Sequence, residues 1–266
     1  MKDFLKVLGC RGSIPVSGPD YVKYGGASYS VLLYLAGEVL VVDAGTGLMN
    51  FPPEFIDAKR VSLFLSHPHL DHLLGFALCP YAMRADSVLN VYAKERDGRN
   101  GLSQLSLVMG EPLWPIGPLE LPAKISFPTL PNHLKIGEVK VDVLEGPHPG
   151  GVSLFRFSAK GKTVVSASDF TLFDDFREEF TAFAKDCDLL LCDGQYSESE
   201  WPARKTFGHN TWNMAASLGR DCGAKELLIV HHDSLRKDKE LDDAMAEITA
   251  LHPNARFARE GEEVVL

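Results

Sequence analysis

The chain has 266 residues, enough for one large domain or two small ones with an ample core. Apolar residues make up 45% and charged residues 24%, the balance of a globular protein and not of a disordered or fibrous one. Lys plus Arg number 27 against 36 Asp plus Glu, a formal charge of −9, which argues against nucleic acid held on a basic face.

The longest apolar stretch, Val31 to Val42, is broken by Gly37 and Glu38 and is too short to cross a bilayer, so no membrane partner is expected. Met1-Lys2-Asp3-Phe4 opens no apolar signal-peptide run. The five cysteines (10, 79, 187, 192, 222) are odd in number and form no CxxC pair. The expectation is a reduced, cytoplasmic protein in which each cysteine is a small buried apolar residue.

With no internal repeat and no linker, 1–266 reads as a single domain. Strands are predicted at Phe4–Leu8, Tyr29–Leu35, Val39–Asp43, Val61–Ser66 and Val88–Tyr92, with Gly37-Glu38 as a tight hairpin turn. The Gly- and Pro-rich segment 94–135 reads as a loop-rich insertion over a site. Further strands are predicted at Val139–Leu144, Val152–Phe157 and Thr163–Ala167. Leu172, Phe176, Phe180 and Phe183 then recur at helical spacing, predicting an amphipathic helix over 171–186 whose aromatics are core. Leu189–Cys192 and Leu227–Val230 read as strands. Thr211–Cys222 reads as a helix with Asn210 as its cap and Gly223 as its stop, and Leu241, Met245, Ile248 and Leu251 mark a last helix. Strands first, then strands mixed with helices, predict packed sheets with helices outside.

The most informative segment is Ser66-His67-Pro68-His69-Leu70-Asp71-His72, directly after an apolar strand. With nine histidines in the chain, a chance H-x-H-x-D-H is on the order of one in a thousand. Imidazole and carboxylate are the ligands of zinc and similar divalent ions. In a strand-end loop His67 and His69 can point to one ion, and Asp71 and His72 to a second. The blander alternative, a polar loop with a helix cap near Asp71, leaves three close histidines unexplained. Gly45 and Gly47 form no phosphate loop, since no Gly-Lys-Ser/Thr follows.

The motif resembles that of the metallo-β-lactamase-fold hydrolases. Gly9-Cys10-Arg11-Gly12-Ser13-Ile14-Pro15, followed by Tyr24-Gly25-Gly26, is similar to the opening of that superfamily's phosphodiesterase branch, which includes ribonuclease Z and cyclic-phosphate phosphodiesterases. Asp43-Ala44-Gly45-Thr46-Gly47 is similar to its Asp-x-Gly turn; Ala27 departs from an Asn common after the paired glycines. The resemblance implies an α/β fold, an αββα sandwich of two mixed β-sheets flanked by helices. It implies two divalent metal ions, Zn or Mn: His67, His69 and His148 on the first, Asp71, His72 and His231 on the second, and Asp169 bridging both, with a bridging hydroxide as nucleophile. His232 is the alternative to His231. His69 stands where the superfamily's iron redox branch has a glutamate, so the chain points away from that branch.

The resemblance further implies that His209, in Gly208-His209-Asn210-Thr211, contacts the scissile phosphate or protonates the leaving group; the alternative is a helix-capping surface histidine. Asp71 and Asp169 join it as implied catalytic residues. Asp43 is expected either to orient a ligand histidine or to form the turn before Gly45. Asp193 and Tyr196 are expected beside the site, and His133 and His252 at the surface. The implied function is a phosphodiesterase on a small or cyclic diester, with a homodimer as a family-level expectation. A thioesterase or lactonase, or a non-hydrolytic metal-binding accessory protein, is the alternative. A tRNA endonuclease of this branch carries a long basic arm, whereas 94–135 holds only Lys94, Arg96, Arg99, Lys124 and Lys135.

Overall fold

The computed structural model describes residues 2–266. Two seven-stranded sheets pack face to face. The first contains β1 (Phe4–Gly9), β2 (Ser30–Leu35), β3 (Glu38–Val42), β4 (Val61–Leu65), β5 (Val88–Ala93), β6 (Lys124–Ser126) and β14 (Glu263–Val265). Its order is β14-β1-β2-β3-β4-β5-β6. The second contains β7 (His133–Ile136), β8 (Val139–Gly146), β9 (Val152–Ala159), β10 (Lys162–Ala167), β11 (Leu189–Asp193), β12 (Glu226–Val230) and β13 (Ala255–Phe257). Its order is β13-β12-β11-β10-β9-β8-β7. Both sheets are mixed. β1 to β3 pair antiparallel and β3 to β6 parallel. Likewise β7 to β10 pair antiparallel and β10 to β13 parallel.

Strands with one face toward the partner sheet and one toward an outer layer must be apolar on both. This is why β4 (Val-Ser-Leu-Phe-Leu) and β11 (Leu-Leu-Leu-Cys-Asp) are buried throughout. Inner side chains such as Val31, Leu33, Val42, Phe64, Phe155, Phe157, Leu191 and Val230 form the core between the sheets. Outside the second sheet lie α2 (Asp174–Phe183), α4 (Trp212–Asp221) and α5 (Asp238–Leu251), burying Phe176, Phe180, Leu218 and Ile248. Outside the first sheet the covering layer is irregular: short 3-10 turns and α1 (Gly101–Leu105) bury Leu48, Phe55, Phe76 and Leu105. No helix among the described residues is long and apolar enough to cross a membrane.

Several local expectations shift. The hairpin turn is Ala36-Gly37, both at positive φ, because Leu35 pairs with Glu38. The helix expected over 171–186 spans Asp174–Phe183. Thr211, not Asn210, caps α4 by accepting from the Met214 amide. The segment 94–135 is less loop-like than its Gly and Pro content suggests. It contributes α1, edge strand β6 and the start of β7, and its Leu105, Met109, Leu121 and Ala123 join the first sheet's outer core. The short α3 (Trp201–Arg204), β13 and β14 carry no clear sequence periodicity.

The pairings orient β1, β3 and β4 alike in one sheet and β8, β10, β11 and β12 alike in the other. The loops that follow these strands carry the candidate residues. Between the sheets, Phe64 has ring centroids 5.1 Å from Tyr92, 5.6 Å from Phe155 and 5.4 Å from Phe157. Phe64→Ala should therefore cost about 3–5 kcal/mol. The midpoint of urea unfolding checks it; a loss below about 1 kcal/mol would show that this core does not join the two sheets.

Candidate metal centre

The loop after β4 places His67, His69, Asp71 and His72 at the joined edge of the two sheets. His148 follows β8, Asp169 follows β10 and His231 follows β12. Their donor atoms form two groups, His67, His69, His148 and Asp169, and Asp71, His72, Asp169 and His231; within each the atoms lie within 4.8 Å of one another. Asp169 belongs to both. Its Oδ2 is 3.1 Å from His72 Nε2 and 3.6 Å from His67 Nε2, and its Oδ1 is 3.1 Å from His231 Nε2. His148 Nε2 is 3.0 Å from His69 Nδ1, and His231 Nε2 is 3.0 Å from Asp71 Oδ2. Asp43, Asp169 and His231 all adopt left-handed backbone, with φ of 61°, 58° and 63°. Such non-glycine residues cost of order 1–3 kcal/mol each, and the surrounding structure must hold them there.

Outer contacts fix which nitrogen of each ring faces inward. His72 Nδ1 donates to Asp43 Oδ2 at 2.8 Å. Ser66 Oγ donates to the same oxygen at 2.7 Å and accepts from His67 Nδ1 at 2.9 Å. His148 Nδ1 donates to the Gly208 carbonyl at 2.9 Å. Each of these rings thereby presents Nε2 to the cluster, the tautomer of a metal-ligating imidazole. Asp71 Oδ2 accepts from the Ser13 amide at 2.6 Å. Two glycines leave room for the rings. A Cβ on Gly12 would lie 2.3 Å from His231 Nδ1, and one on Gly208 would lie 2.4 Å from His148 Nδ1.

The electrostatics call for cations. Asp43, Asp71, Asp169 and Asp193 are at most 4% exposed. Their ion-pair partners are histidines alone, with no Lys or Arg among the described residues. Burying several carboxylates without compensation costs several kcal/mol per ion. His67 Nε2 and Asp169 Oδ1 are buried without a hydrogen-bond partner. Imidazole nitrogens and carboxylate oxygens arranged this way suit divalent cations.

The titration shifts follow from the same crowding. Burial opposes ionisation of Asp71 and Asp169, yet neighbouring imidazoles, His72 and His231 foremost, outweigh it and hold both carboxyls below their usual range. Burial likewise opposes a charged His72 or His231, but Asp169 and Asp71 raise both. Burial lowers His67 and His69, and takes His148 down to about 4.

The structure brings all seven expected ligand residues together and separates the two neighbours at 231–232. His232 turns away, its Nε2 donating to the Ala258 carbonyl at 2.9 Å, and burial pushes it down to about 3. His209 lies beside the cluster, its ring 4.9 Å from that of His231, and its Nδ1 donates to Asp193 Oδ2 at 2.8 Å. Asp193 also accepts from the Asp169 and Asn210 amides. Tyr196 meets the His209 ring edge-on at 5.8 Å. Arg11 is fully buried and faces away, bonding the Gly25 and Arg236 carbonyls. His133 is exposed and paired with Asp142, whereas His252, expected at the surface, is buried and donates to the Ala224 carbonyl. The motifs contain Ser66, Ser13, Gly12 and Gly208, but sequence reasoning gave them no role at the centre. The serine directly before the histidine run was the available signal for the first. His69 is exposed and His148 half-buried, so the cluster opens on their side.

Gly208 combines a φ of +96° with the close approach to His148. Gly208→Ala should push that ring out and lower bound metal measurably, while the circular dichroism spectrum stays native. Unchanged metal content on elemental analysis would separate His148 from the centre.

Residues 39–232 match the family model described as a beta-lactamase superfamily domain. Among curated proteins, the ribonuclease Z of Streptococcus equi subsp. equi is 28% identical over 109 residues, 40% of this chain and 33% of that one. The ribonuclease Z of Bacillus subtilis is 24% identical over 142 residues, 53% and 45% of the two chains. The matched segments thus span less than half the length of these relatives. Among solved structures, the metallo-beta-lactamase fold protein YhfI from Bacillus subtilis has a TM-score of 0.74 at 21% identity, covering 99% of each chain. A diphosphatase from the PhnP family has a TM-score of 0.71 at 16% identity, covering 100% and 98%. The short form of human tRNase Z has a TM-score of 0.69 at 19% identity, covering 98% of each chain. With the family model spanning most of the chain and the fold shared end to end, this protein belongs to the metallo-β-lactamase superfamily.

Proposed function

We propose that the chain is a dinuclear metal-dependent hydrolase acting on a small or cyclic phosphodiester, with residues 1–266 working as one domain. His67, His69, His148 and Asp169 would hold one divalent ion, zinc or manganese. Asp71, His72, His231 and the shared Asp169 would hold the other. Two such cations lower the pKa of water and polarise a phosphoryl oxygen. The observation that carries the reading is the pairing of two donor groups through Asp169 with a braced histidine at their side.

His209 supplies what the metals do not. Its Nδ1 is committed to Asp193, so Nε2 is the atom left to face a substrate. With Nδ1 held by the Asp193 carboxylate, a proton on Nε2 is the one the ring can give to a departing alkoxide. Asp71 is held by the Ser13 amide and Asp43 braces both His72 and, through Ser66, His67. A small diester is favoured over tRNA because the 94–135 segment packs its apolar residues into the first sheet's outer core instead of extending as an arm. The ribonuclease Z relatives and the PhnP-family diphosphatase support a phosphoester substrate by name.

Asp169→Ala should remove a ligand from each ion, giving loss of at least one metal per chain and near-total loss of activity. Retention of both metals with most of the rate would refute the shared role. His209→Ala should keep both metals and lower kcat by about 10²–10⁴, the range for a positioned general acid. The loss should be larger for a nucleoside alcohol than for p-nitrophenolate, which departs without a proton. Equal losses on both substrates would assign His209 to phosphate positioning instead.

A further inference from the structure

We propose that the mouth of this centre is an apolar collar, and that the substrate is a phosphodiester bearing an aryl-sized apolar ester group; the inference rests on the phosphodiesterase reading above. Large hydrophobic side chains exposed singly need no explanation. Here four of them, Ile14, Leu70, Phe173 and Phe207, are 50% to 57% exposed and sit on four separate loops at the centre.

Chain connectivity keeps each of them near the candidate ligands, since consecutive Cα atoms are about 3.8 Å apart. Leu70 stands between His69 and Asp71. Ile14 follows Ser13, whose amide donates to Asp71 at 2.6 Å. Phe207 precedes Gly208, whose carbonyl accepts from His148 at 2.9 Å. Phe173 directly follows two tied residues: the Thr171 amide donates to the Pro147 carbonyl at 2.8 Å, next to His148, and the Leu172 amide donates to Asn210 Oδ1 at 2.7 Å, next to His209. Four loops that carry or touch the candidate ligands thus each bear one exposed apolar side chain.

The arginines of the neighbouring loops are already engaged. Arg11 is buried among carbonyls, Arg96 pairs with Glu145, and Arg204 pairs with Asp233 while lying over the Tyr196 ring. Of the cations in the 196–208 loop, Lys205 alone has no carboxylate partner among the described residues. A polyanionic substrate would need free cations along its backbone. A single diester needs charge only at its phosphorus, where the metals supply it, and gains from apolar contact elsewhere.

The test uses the metal-loaded full chain and two diesters with one common leaving group, phenyl p-nitrophenyl phosphate and methyl p-nitrophenyl phosphate. After correction for uncatalysed hydrolysis, kcat/KM should favour the phenyl ester by about tenfold, mostly through KM, in line with discrimination by a few buried carbons. Phe207→Ser with Ile14→Ser should cut that preference at least threefold, and Leu70→Ser or Phe173→Ser alone should lower it, with metal content measured for each. Leu113→Ser, an exposed leucine of the 94–135 segment, should leave the ratio unchanged. A ratio near one, or a ratio that none of the four substitutions moves, overturns the collar while leaving the phosphodiesterase reading intact. So does a shift toward monomer on light scattering with an unmoved ratio, which would make the collar a self-association face. Turnover of neither diester, with hydrolysis of a thioester, overturns the phosphodiesterase reading and the inference together.

Discussion

Four buried carboxylates without a Lys or Arg partner set the terms for the rest of this molecule. Asp43, Asp71, Asp169 and Asp193 are gathered where two sheets meet, and imidazoles are their only ion-pair partners among the described residues. In a low-dielectric interior that density of negative charge is tolerable only when positive charge is placed among it. The histidines can supply some of it by protonation, as the raised His72 and His231 indicate. Divalent cations supply more, and they leave the imidazoles neutral and able to ligate. The sandwich can be understood as a way of holding these acids close despite their repulsion.

The fold does this by parallel pairing at the middle of each sheet. Strands that run the same way deliver their following loops to the same edge. Backbone bonds then join the loops directly: Ser153 to Ser66 across the sheets, Ala44 to His72, and the reciprocal Gly12–His232 and His232–Cys10 bonds. The left-handed residues at 43, 169 and 231 are each held on at least one side: Ala44 bonds His72, the Asp169 amide donates to Asp193, and His232 bonds Gly12 and Cys10.

Much of this was legible in the chain. The H-x-H-x-D-H run has few structural readings, and apolar strands before His148, Asp169 and His231 placed those residues at strand ends. What could not be read was anything that depends on packing across the sheets. His231 and His232 are neighbours of the same type, and only the φ of +63° at His231, with Gly12 opposite, decides which one enters the cluster. His252 looked like a surface residue because nothing local predicts the Ala224 carbonyl 28 positions away that it bonds. The 94–135 segment misled for the complementary reason. Its glycines and prolines are real turn signals, but its scattered Leu105, Met109 and Leu121 find a common core only once the first sheet exists to cover.

The hydrogen bonds that position the ligand residues run to protein groups and not to one another alone, so the fold itself helps to place them. Ser66, Asp43, Ser13, Gly208 and Asp193 each hold one or more candidate residues from outside the cluster. This separates the chain from small domains that fold only around their metal, because its three hydrophobic clusters stand without contribution from the site. A centre held in this way fixes where the ligand residues stand, but on the proposed reading it does not choose among esters. On the proposed reading that choice falls to the loop residues just beyond the ligands, where Ile14, Leu70, Phe173 and Phe207 are exposed. Reaction class and substrate preference would then lie on different parts of the same loops, so that side chains at the mouth could change without disturbing the ligands beneath them.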